Sequence, residues 1–234
     1  MNKLKVLLIM SLLVNILIVG ISSYVVNKQG GMDVIKKLFS PQEYPDYYLQ
    51  KKNLFESLDY ADVDKIFIGD SITDHGEFQK YFENEVVLNR GIVEDDTKGV
   101  LNRLDEVVKR NPKEVYIMIG INDIGKKVDV QVYQENMEKI VNSFNENSTR
   151  VVIQSILPVN NQDFNNDLTN KRVYQFNSVL KKLAKDHGLQ YIDLNMFFED
   201  ENGQLQKELT VDGIHLTGEG YDNWMEILNK ELLH

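Results

Sequence analysis

The sequence contains no cysteine among its 234 residues, and it has fewer basic than acidic side chains. Without cysteine the chain has no disulfide, no thiolate metal ligand and no cysteine nucleophile. It carries 26 lysines and arginines against 36 aspartates and glutamates, a formal net charge of −10. Because binding to phosphate backbones needs a basic surface, nucleic acid is excluded as an expected partner. The 42% of hydrophobic residues is enough to bury a core.

The N-terminus carries an apolar run long enough to cross a membrane. Lys3 and Lys5 precede it, and within residues 6–26 Asn15 is the only strongly polar interruption. About 20 apolar residues cross the roughly 30 Å of hydrocarbon, and flanking lysines stay on the cytoplasmic side. A cleaved signal peptide is the alternative, with a shorter apolar core of about 7–15 residues. We therefore expect a signal anchor at residues 1–26 with the rest of the chain outside the cell membrane; cleavage would make it a secreted protein.

After the anchor the sequence alternates between short apolar runs and helical periods. Residues 27–59 read as a connector with an amphipathic helix at 47–58, and residues 60–234 read as one domain. Alternation of this kind predicts parallel βαβ units and a sheet covered on both faces. The expected fold is an α/β three-layer sandwich with a five-stranded parallel sheet. The predicted strands are 65–69, 86–88, 115–120, 151–157 and 190–194, and the predicted helices are 97–110, 130–145, 169–187 and 218–233.

Four short motifs lie where ligands meet such a sheet, beyond the carboxyl ends of its strands or before the last helix. Taken singly, each has a structural explanation: Ser71 as a helix N-cap, Gly91 as a turn with positive φ, Asn122 as a turn residue, and Asp212 and His215 as a local pair. Taken together, they supply a hydroxyl nucleophile, an imidazole base, a carboxylate and donors for an oxyanion. The combination predicts acyl transfer.

The same motifs resemble the sequence blocks of the SGNH (GDSL-type) hydrolase family, over about residues 64–233. Residues 99–107 and 212–221 look like the small esterases related to platelet-activating-factor acetylhydrolase. The resemblance implies a flavodoxin-like sheet and a serine esterase that needs no metal or other cofactor. It implies Ser71 as nucleophile, with His215 and Asp212 completing the triad. It also implies an oxyanion hole made by the Ser71 N–H, the Gly91 N–H and the Asn122 side chain.

Two other functions remain open at this point. A metal-dependent phosphohydrolase would use Asp70, Asp123 and His215 as ligands, since divalent ions favour such oxygens. A non-catalytic surface domain would bind a glycan or lipid through the same pocket. For Asp70 and Asp123 we expect instead a structural role, with each hydrogen-bonded to the loop beside it.

The substrate is less well defined than the chemistry. An exported acidic domain suits an ester on a small molecule, a glycan or a lipid close to the membrane. Short acyl groups are expected because the segment at 160–170 is polar and rich in asparagine. His75 is a candidate for substrate contact, and the acidic residues 94–96 would disfavour an anionic leaving group. We expect His187 to cap a helix and Tyr221 and Trp224 to pack in the core. The sequence makes no prediction of oligomeric state.

Overall fold

The computed structural model describes residues 2–28, 43–58, 62–163 and 168–232, and the chain divides into two compact units at Pro45 and Asp46. In its described part the first unit contains the helix α1 (Lys3–Lys28), none of whose residues is buried. It is long and apolar enough to cross a membrane, and it is the only such helix among the described residues. A signal sequence at an N-terminus has the same composition. Residues 29–42 and 59 of the predicted connector lie outside the described residues.

The second unit is an α/β domain built on a five-stranded parallel sheet. Its strands lie in the order β2-β1-β3-β4-β5, and this is the flavodoxin-like order of an open α/β sheet. The register places Gly69 at the end of β1 opposite Gly91 of β2 and Met118 of β3. The strands are β1 (Lys65–Gly69), β2 (Val87–Gly91), β3 (Glu114–Met118), β4 (Arg150–Gln154) and β5 (Gln190–Ile192).

Helices cover both faces of this sheet. The strands present buried side chains to both sides, and two separate apolar clusters result. One cluster packs against the long helices between strands, and the other packs against the last helix around Trp224. The helices of this domain are α2 (Asp46–Ser57), α3 (Ser71–Asp74), α4 (Thr97–Lys109), α5 (Ile121–Gly125), α6 (Val130–Asn142), α7 (Asn170–His187), α8 (Asn195–Phe198) and α9 (Gly218–Leu232).

The predicted α/β fold with five parallel strands is confirmed, and the differences lie at element ends. β2 continues to Gly91, three residues beyond its predicted end, while β3 and β4 stop earlier than predicted. Three short helices, α3, α5 and α8, were not predicted because four or five residues are too few for helical periodicity. Residues 164–167 of the predicted polar segment lie outside the described residues.

Helix α2 belongs to the domain rather than standing apart from it. It begins at Asp46, where the second compact unit also begins. Tyr48 and Phe55 are buried, and Tyr48 donates a hydrogen bond of 2.7 Å to the Gly99 carbonyl of α4. The boundary between connector and domain, expected near residue 60, therefore lies before this helix in the structure.

Candidate active site

Ser71, His215 and Asp212 form one hydrogen-bonded chain. The Nε2 atom of His215 lies 2.9 Å from the Ser71 hydroxyl oxygen, and its Nδ1 atom lies 2.7 Å from Asp212 Oδ2. Ser71 is buried, whereas the ring of His215 is partly exposed. The contact joins distant parts of the sequence, since 144 positions separate the serine from the histidine. A hydroxyl on an imidazole that a carboxylate orients is the arrangement of an activated nucleophile.

A tight loop before α9 fixes the histidine and the aspartate relative to each other. Asp212 Oδ1 accepts the backbone N–H groups of Ile214 and His215 at 3.1 and 2.8 Å. The Thr210 hydroxyl donates to the His215 carbonyl at 2.8 Å. Partial burial acts to raise the pKa of Asp212, but the hydrogen bonds from the His215 ring and from the two N–H groups outweigh it and lower the pKa below its ordinary value. The carboxylate therefore stays ionised beside the ring.

Ser71 lies in the single turn of α3, directly after β1. Asp70, and not Ser71, is the N-cap, because its side chain accepts the Ile72 N–H at 3.0 Å. Ser71 is the first residue of the helix. The Tyr221 hydroxyl donates to the Ile72 carbonyl at 2.7 Å, so this partly buried tyrosine supports the turn as well as packing against the core.

Gly91 packs against the same turn, and its backbone conformation differs from the predicted one. It does not have positive φ; a side-chain carbon at this position would lie 2.1 Å from the backbone nitrogen of Asp74. Glycine is therefore required for close approach of two backbones. The Gly91 N–H donates to the Asn89 side-chain oxygen at 2.7 Å. In this structure the predicted oxyanion donor already has an acceptor.

Asn122 lies in α5, which begins after Gly120 and follows β3. Because β3 is parallel to β1, Asn122 lies at the same edge of the sheet as Ser71. Gly120 has a φ of +140°, a conformation that favours glycine. The Asn122 side-chain nitrogen donates to the Asp95 carbonyl at 2.8 Å. An amide nitrogen carries two hydrogens, so a second remains for a ligand. The next residue, Asp123, contacts α4 instead: its carboxylate accepts a hydrogen bond of 2.5 Å from the Thr97 hydroxyl.

Two of the three acidic residues after β2 bind other groups of the protein. The expected repulsion of an anionic leaving group therefore applies mainly to the third, Glu94. Asp95 is buried and forms an ion pair of 2.7 Å with buried Arg103. Asp96 caps α4 at the Gly99 N–H and pairs with Lys126. Only Glu94 is exposed. The Asp95–Arg103 pair was not predicted; their eight-residue separation across a helix start gave no periodic signal.

Glu94 occupies a backbone conformation that ordinarily favours glycine. Its φ is +63°, and the Asp95 N–H closes the turn on the Ile92 carbonyl at 3.1 Å. Positive φ at the third residue of a four-residue turn is typical of type II, where glycine is preferred. The turn presents the Asp95 carbonyl to Asn122, so backbone strain lies directly behind the predicted oxyanion amide.

Buried carboxylates lie behind this edge of the sheet. Burial raises the pKa of Asp70 to about 7, with the charges of Asp95 and Asp123 acting in the same direction. Burial likewise raises the pKa of Asp123 to about 6, against the opposing hydrogen bonds from Thr97. Burial raises the pKa of Asp95 even though Arg103 acts to lower it. Removing a carboxylate from water disfavours its charged form in each case.

The remaining predicted residues have clear places. His75 is exposed, with its ring centroid 5.4 Å from that of His215, so it borders the triad. His187 ends α7 before Gly188, whose φ of +65° provides the left-handed cap, and its ring also contacts Glu138 at 3.0 Å. Trp224 is fully buried and donates to Gln154 at 2.6 Å.

The residues proposed as alternative metal ligands have other partners. Asp70 accepts from the Ile72 backbone, Asp123 accepts from Thr97, and His215 lies between Ser71 and Asp212. Within the described ranges no group of three histidine, aspartate or glutamate side chains is arranged to hold a metal ion. The donor set therefore does not fit the metal centre of the phosphohydrolase alternative.

Comparison with known proteins places this site in a family. The model of the GDSL-like lipase/acylhydrolase family matches residues 67–222, well over half of the chain. The chain belongs to this family. The resemblance drawn from the four motifs is confirmed. The matched region of this GDSL-like protein includes Ser71, His215 and Asp212, and it leaves out α2.

Individual relatives of this GDSL-like protein are distant in sequence. It is 28% identical over 187 residues to the platelet-activating factor acetylhydrolase IB subunit alpha2 of Rattus norvegicus, covering 75% of this chain and 79% of that one. It is 24% identical over 170 residues to an isoamyl acetate-hydrolyzing esterase of Saccharomyces cerevisiae, covering 66% and 70%. With the N-acylneuraminate cytidylyltransferase of Streptococcus agalactiae serotype V it shares 25% identity over 171 residues. That match covers 73% of this chain but only 39% of the relative.

A solved structure agrees with the fold. The structure described for a platelet activating factor from Streptococcus pneumonia superposes with a TM-score of 0.73 at 28% identity. The match covers 86% of this chain and 97% of that one. The GDSL-like domain thus accounts for nearly the whole of that structure.

Proposed function

We propose that this protein is a serine esterase that hydrolyses short-chain carboxylic esters through an acyl-enzyme. The observation that carries the proposal is the chain of two hydrogen bonds from Ser71 through His215 to Asp212, at 2.9 and 2.7 Å. A serine hydroxyl attacks esters only when a base accepts its proton, and this ring nitrogen is within reach to do so. Membership of an acylhydrolase family supports the same chemistry.

The reaction proceeds in two steps of the same form. His215 Nε2 accepts the proton of the Ser71 hydroxyl as its oxygen attacks the ester carbonyl, and Asp212 stabilises the imidazolium. The tetrahedral intermediate collapses as His215 protonates the departing alcohol, leaving the acyl group on Ser71. Water then gives its proton to His215 and attacks the acyl-enzyme. The carboxylic acid departs and the serine recovers its proton.

The oxyanion needs donors aimed at the carbonyl oxygen as it becomes charged. We assign this role to the Ser71 N–H and to the second hydrogen of the Asn122 amide, whose first hydrogen is held by the Asp95 carbonyl. The Gly91 N–H joins them only by leaving the Asn89 side-chain oxygen. His75, exposed beside the triad, is placed to contact the substrate.

The proposed location is the outer face of a membrane, with α1 as a signal anchor. Lys3 and Lys5 lie at the start of α1, and the catalytic domain follows its end, so the positive-inside rule directs the domain outward. Acetyl or other short acyl groups on a glycan or lipid would be within reach there. N-terminal sequencing of the membrane-bound protein distinguishes an anchor, which keeps residues 1–26, from a cleaved signal sequence.

The decisive test compares Ser71→Ala with a matched serine elsewhere. Ser71→Ala should lower the kcat for p-nitrophenyl acetate by about 10⁴-fold or more, since the nucleophile is lost. The control is Ser143→Ala, because Ser143 is exposed at the end of α6 and lies in a different part of the fold. Retained turnover in Ser71→Ala would refute the proposal. A series of esters from acetate to palmitate tests the preference for short chains.

A further inference from the structure

We propose that α2 is a positioning element of the active site. Its residues Lys51 and Tyr47 contact Asp74 and thereby hold in place the nucleophile turn, which is the single turn of α3 at Ser71–Asp74. The inference rests on the proposed function, because it takes Ser71 as the nucleophile. It concerns a segment that precedes the family-matched residues 67–222.

Asp74, the last residue of the nucleophile turn, receives both of its side-chain partners from α2. The Tyr47 hydroxyl donates to Asp74 Oδ2 at 2.5 Å, and the Lys51 ammonium pairs with Oδ1. Tyr47 and Lys51 are four residues apart and so lie on the same face of the helix. The Asp74 side chain is only 4% exposed, so water has little access to replace these donors. A buried carboxylate that loses its partner is strongly destabilised.

Movement of Asp74 is transmitted directly to Ser71. The Asp74 N–H donates to the Asp70 carbonyl at 2.8 Å, and the next N–H, that of His75, donates to the Ser71 carbonyl at 3.1 Å. A helix of one turn makes few hydrogen bonds of its own and depends on surrounding contacts. On its other side the turn is held by the Asn89 amide, which donates to the Thr73 carbonyl at 2.7 Å. The turn is thus fixed between β2 and α2.

Helix α2 is itself anchored, so it can serve as a support. Tyr48 donates to the Gly99 carbonyl at 2.7 Å, and Lys52 donates to the Asn102 carbonyl at 2.7 Å. The Arg110 guanidinium donates to the Phe55 carbonyl at 2.8 Å. These contacts fix α2 to α4, the helix whose Arg103 pairs with Asp95 behind the oxyanion amide. Helix α2 therefore contacts both the nucleophile turn and α4, the helix behind the proposed oxyanion site.

The test replaces two adjacent lysines of α2 in the full-length protein, purified in detergent. Lys51→Met should lower the kcat for p-nitrophenyl acetate by about 10-fold to 100-fold, because a small misplacement of a reacting group has an effect of this size. KM should change by less than about threefold, since the proposed substrate contacts stay in place. Lys52→Met is the matched control: Lys52 is equally half-buried but does not bond to Asp74, and when its bond to the Asn102 carbonyl is lost the Tyr48 and Arg110 contacts still fix α2 to α4. It should leave kcat near that of the parent.

Two further variants separate positioning from a general loss of stability. Lys51→Arg keeps the charge and should restore most of kcat. In an Asp74→Asn background, Lys51→Met should cause little further loss, because the carboxylate through which Lys51 acts is gone. All rates are measured well below the lowest unfolding temperature of the set. If Lys51→Met does not fold, Tyr47→Phe, which removes a single hydroxyl, replaces it with the same expected direction.

The outcomes distinguish this inference from the function on which it rests. Equal kcat for Lys51→Met and Lys52→Met, or full additivity with Asp74→Asn, overturns the positioning role. If Ser71→Ala is inactive in the same assay, the esterase proposal survives that result. If Ser71→Ala retains activity, the proposed function fails irrespective of Lys51.

Discussion

Replacing Asp70 by asparagine should remove a loss of folding stability that the parent protein undergoes as the pH rises from about 4 to about 7. Asp70 is 2% exposed and its pKa is raised from 3.8 to about 7, chiefly by burial. As pH rises, the unfolded chain ionises near its ordinary value while the folded protein holds its proton until about pH 7. Ionisation of the unfolded state therefore lowers folding stability between those two values. Asparagine cannot ionise, and its side-chain oxygen can still cap the Ile72 N–H.

The size of the effect follows from the pKa. A rise from 3.8 to about 7 corresponds to a loss of about 4 kcal/mol that develops between about pH 4 and pH 7. The stability of Asp70→Asn relative to the parent should thus increase by about that amount from pH 4 to pH 8. Any constant effect of the substitution, such as a weaker cap, cancels in this comparison. Asp123, whose raised pKa acts in the same direction, is present in both proteins, and most of its contribution cancels because Asp70 of the folded parent stays uncharged until about pH 7.

Urea unfolding of the parent and Asp70→Asn at pH 4, 5.5, 7 and 8 measures the difference. Asp186 provides a control of opposite sign, since its hydrogen bond to Lys182 lowers its pKa and its side chain is exposed. Asp186→Asn should lose slightly more stability at neutral pH than at pH 4. A difference between parent and Asp70→Asn that stays constant with pH would refute the assignment of a protonated buried Asp70.

Further predictions concern the oxyanion site and metal dependence. Asn122→Ala should lower kcat by about 100-fold or more, as expected for the loss of an oxyanion donor worth roughly 3–4 kcal/mol; an unchanged kcat would exclude the amide from this role. Glu94→Gly should raise the free energy of unfolding by about 1 kcal/mol, because glycine has no penalty at positive φ, and a decrease in urea midpoint would contradict it. Gly91→Ala should destabilise the protein and abolish turnover, because its methyl group would overlap the Asp74 backbone; a fully active variant would show that the turn can move. EDTA should leave esterase activity unchanged, whereas its loss would favour the metal-dependent alternative.

The sheet was predictable because three of its parallel strands, β1, β3 and β4, carry a continuous apolar run. Strands buried on both faces, such as β3 with Val115 to Met118, cannot be mistaken for surface segments. Their ends were harder to predict: β2 continues through polar Asn89 and Arg90 to Gly91, where hydrogen bonding to β1 outweighs composition. The single-turn helices were missed because their formation depends on tertiary contacts.

In the site, residue types were more predictable than the detailed roles of backbone groups. Ser71, Asp212 and His215 could be selected from the sequence as candidates because a hydroxyl, an imidazole and a carboxylate have distinct chemistry and these residues lie near strand or helix ends. The structure brings the three side chains within hydrogen-bond distance. The bond between the Gly91 N–H and Asn89 was not predicted, because it depends on the local path of the backbone. The contact of Lys51 with Asp74 joins segments 23 positions apart, and no repeat or spacing marks it.

We propose Ser71 as the activated nucleophile, and all of the proposed chemistry depends on it. Its most direct test treats the full-length protein with a fluorophosphonate and maps the adduct by mass spectrometry. We expect a single adduct on Ser71, and strongly slowed labelling in His215→Ala, because the base that accepts the serine proton is missing. An adduct on another residue, or no adduct in a folded protein that still hydrolyses p-nitrophenyl acetate, would contradict it.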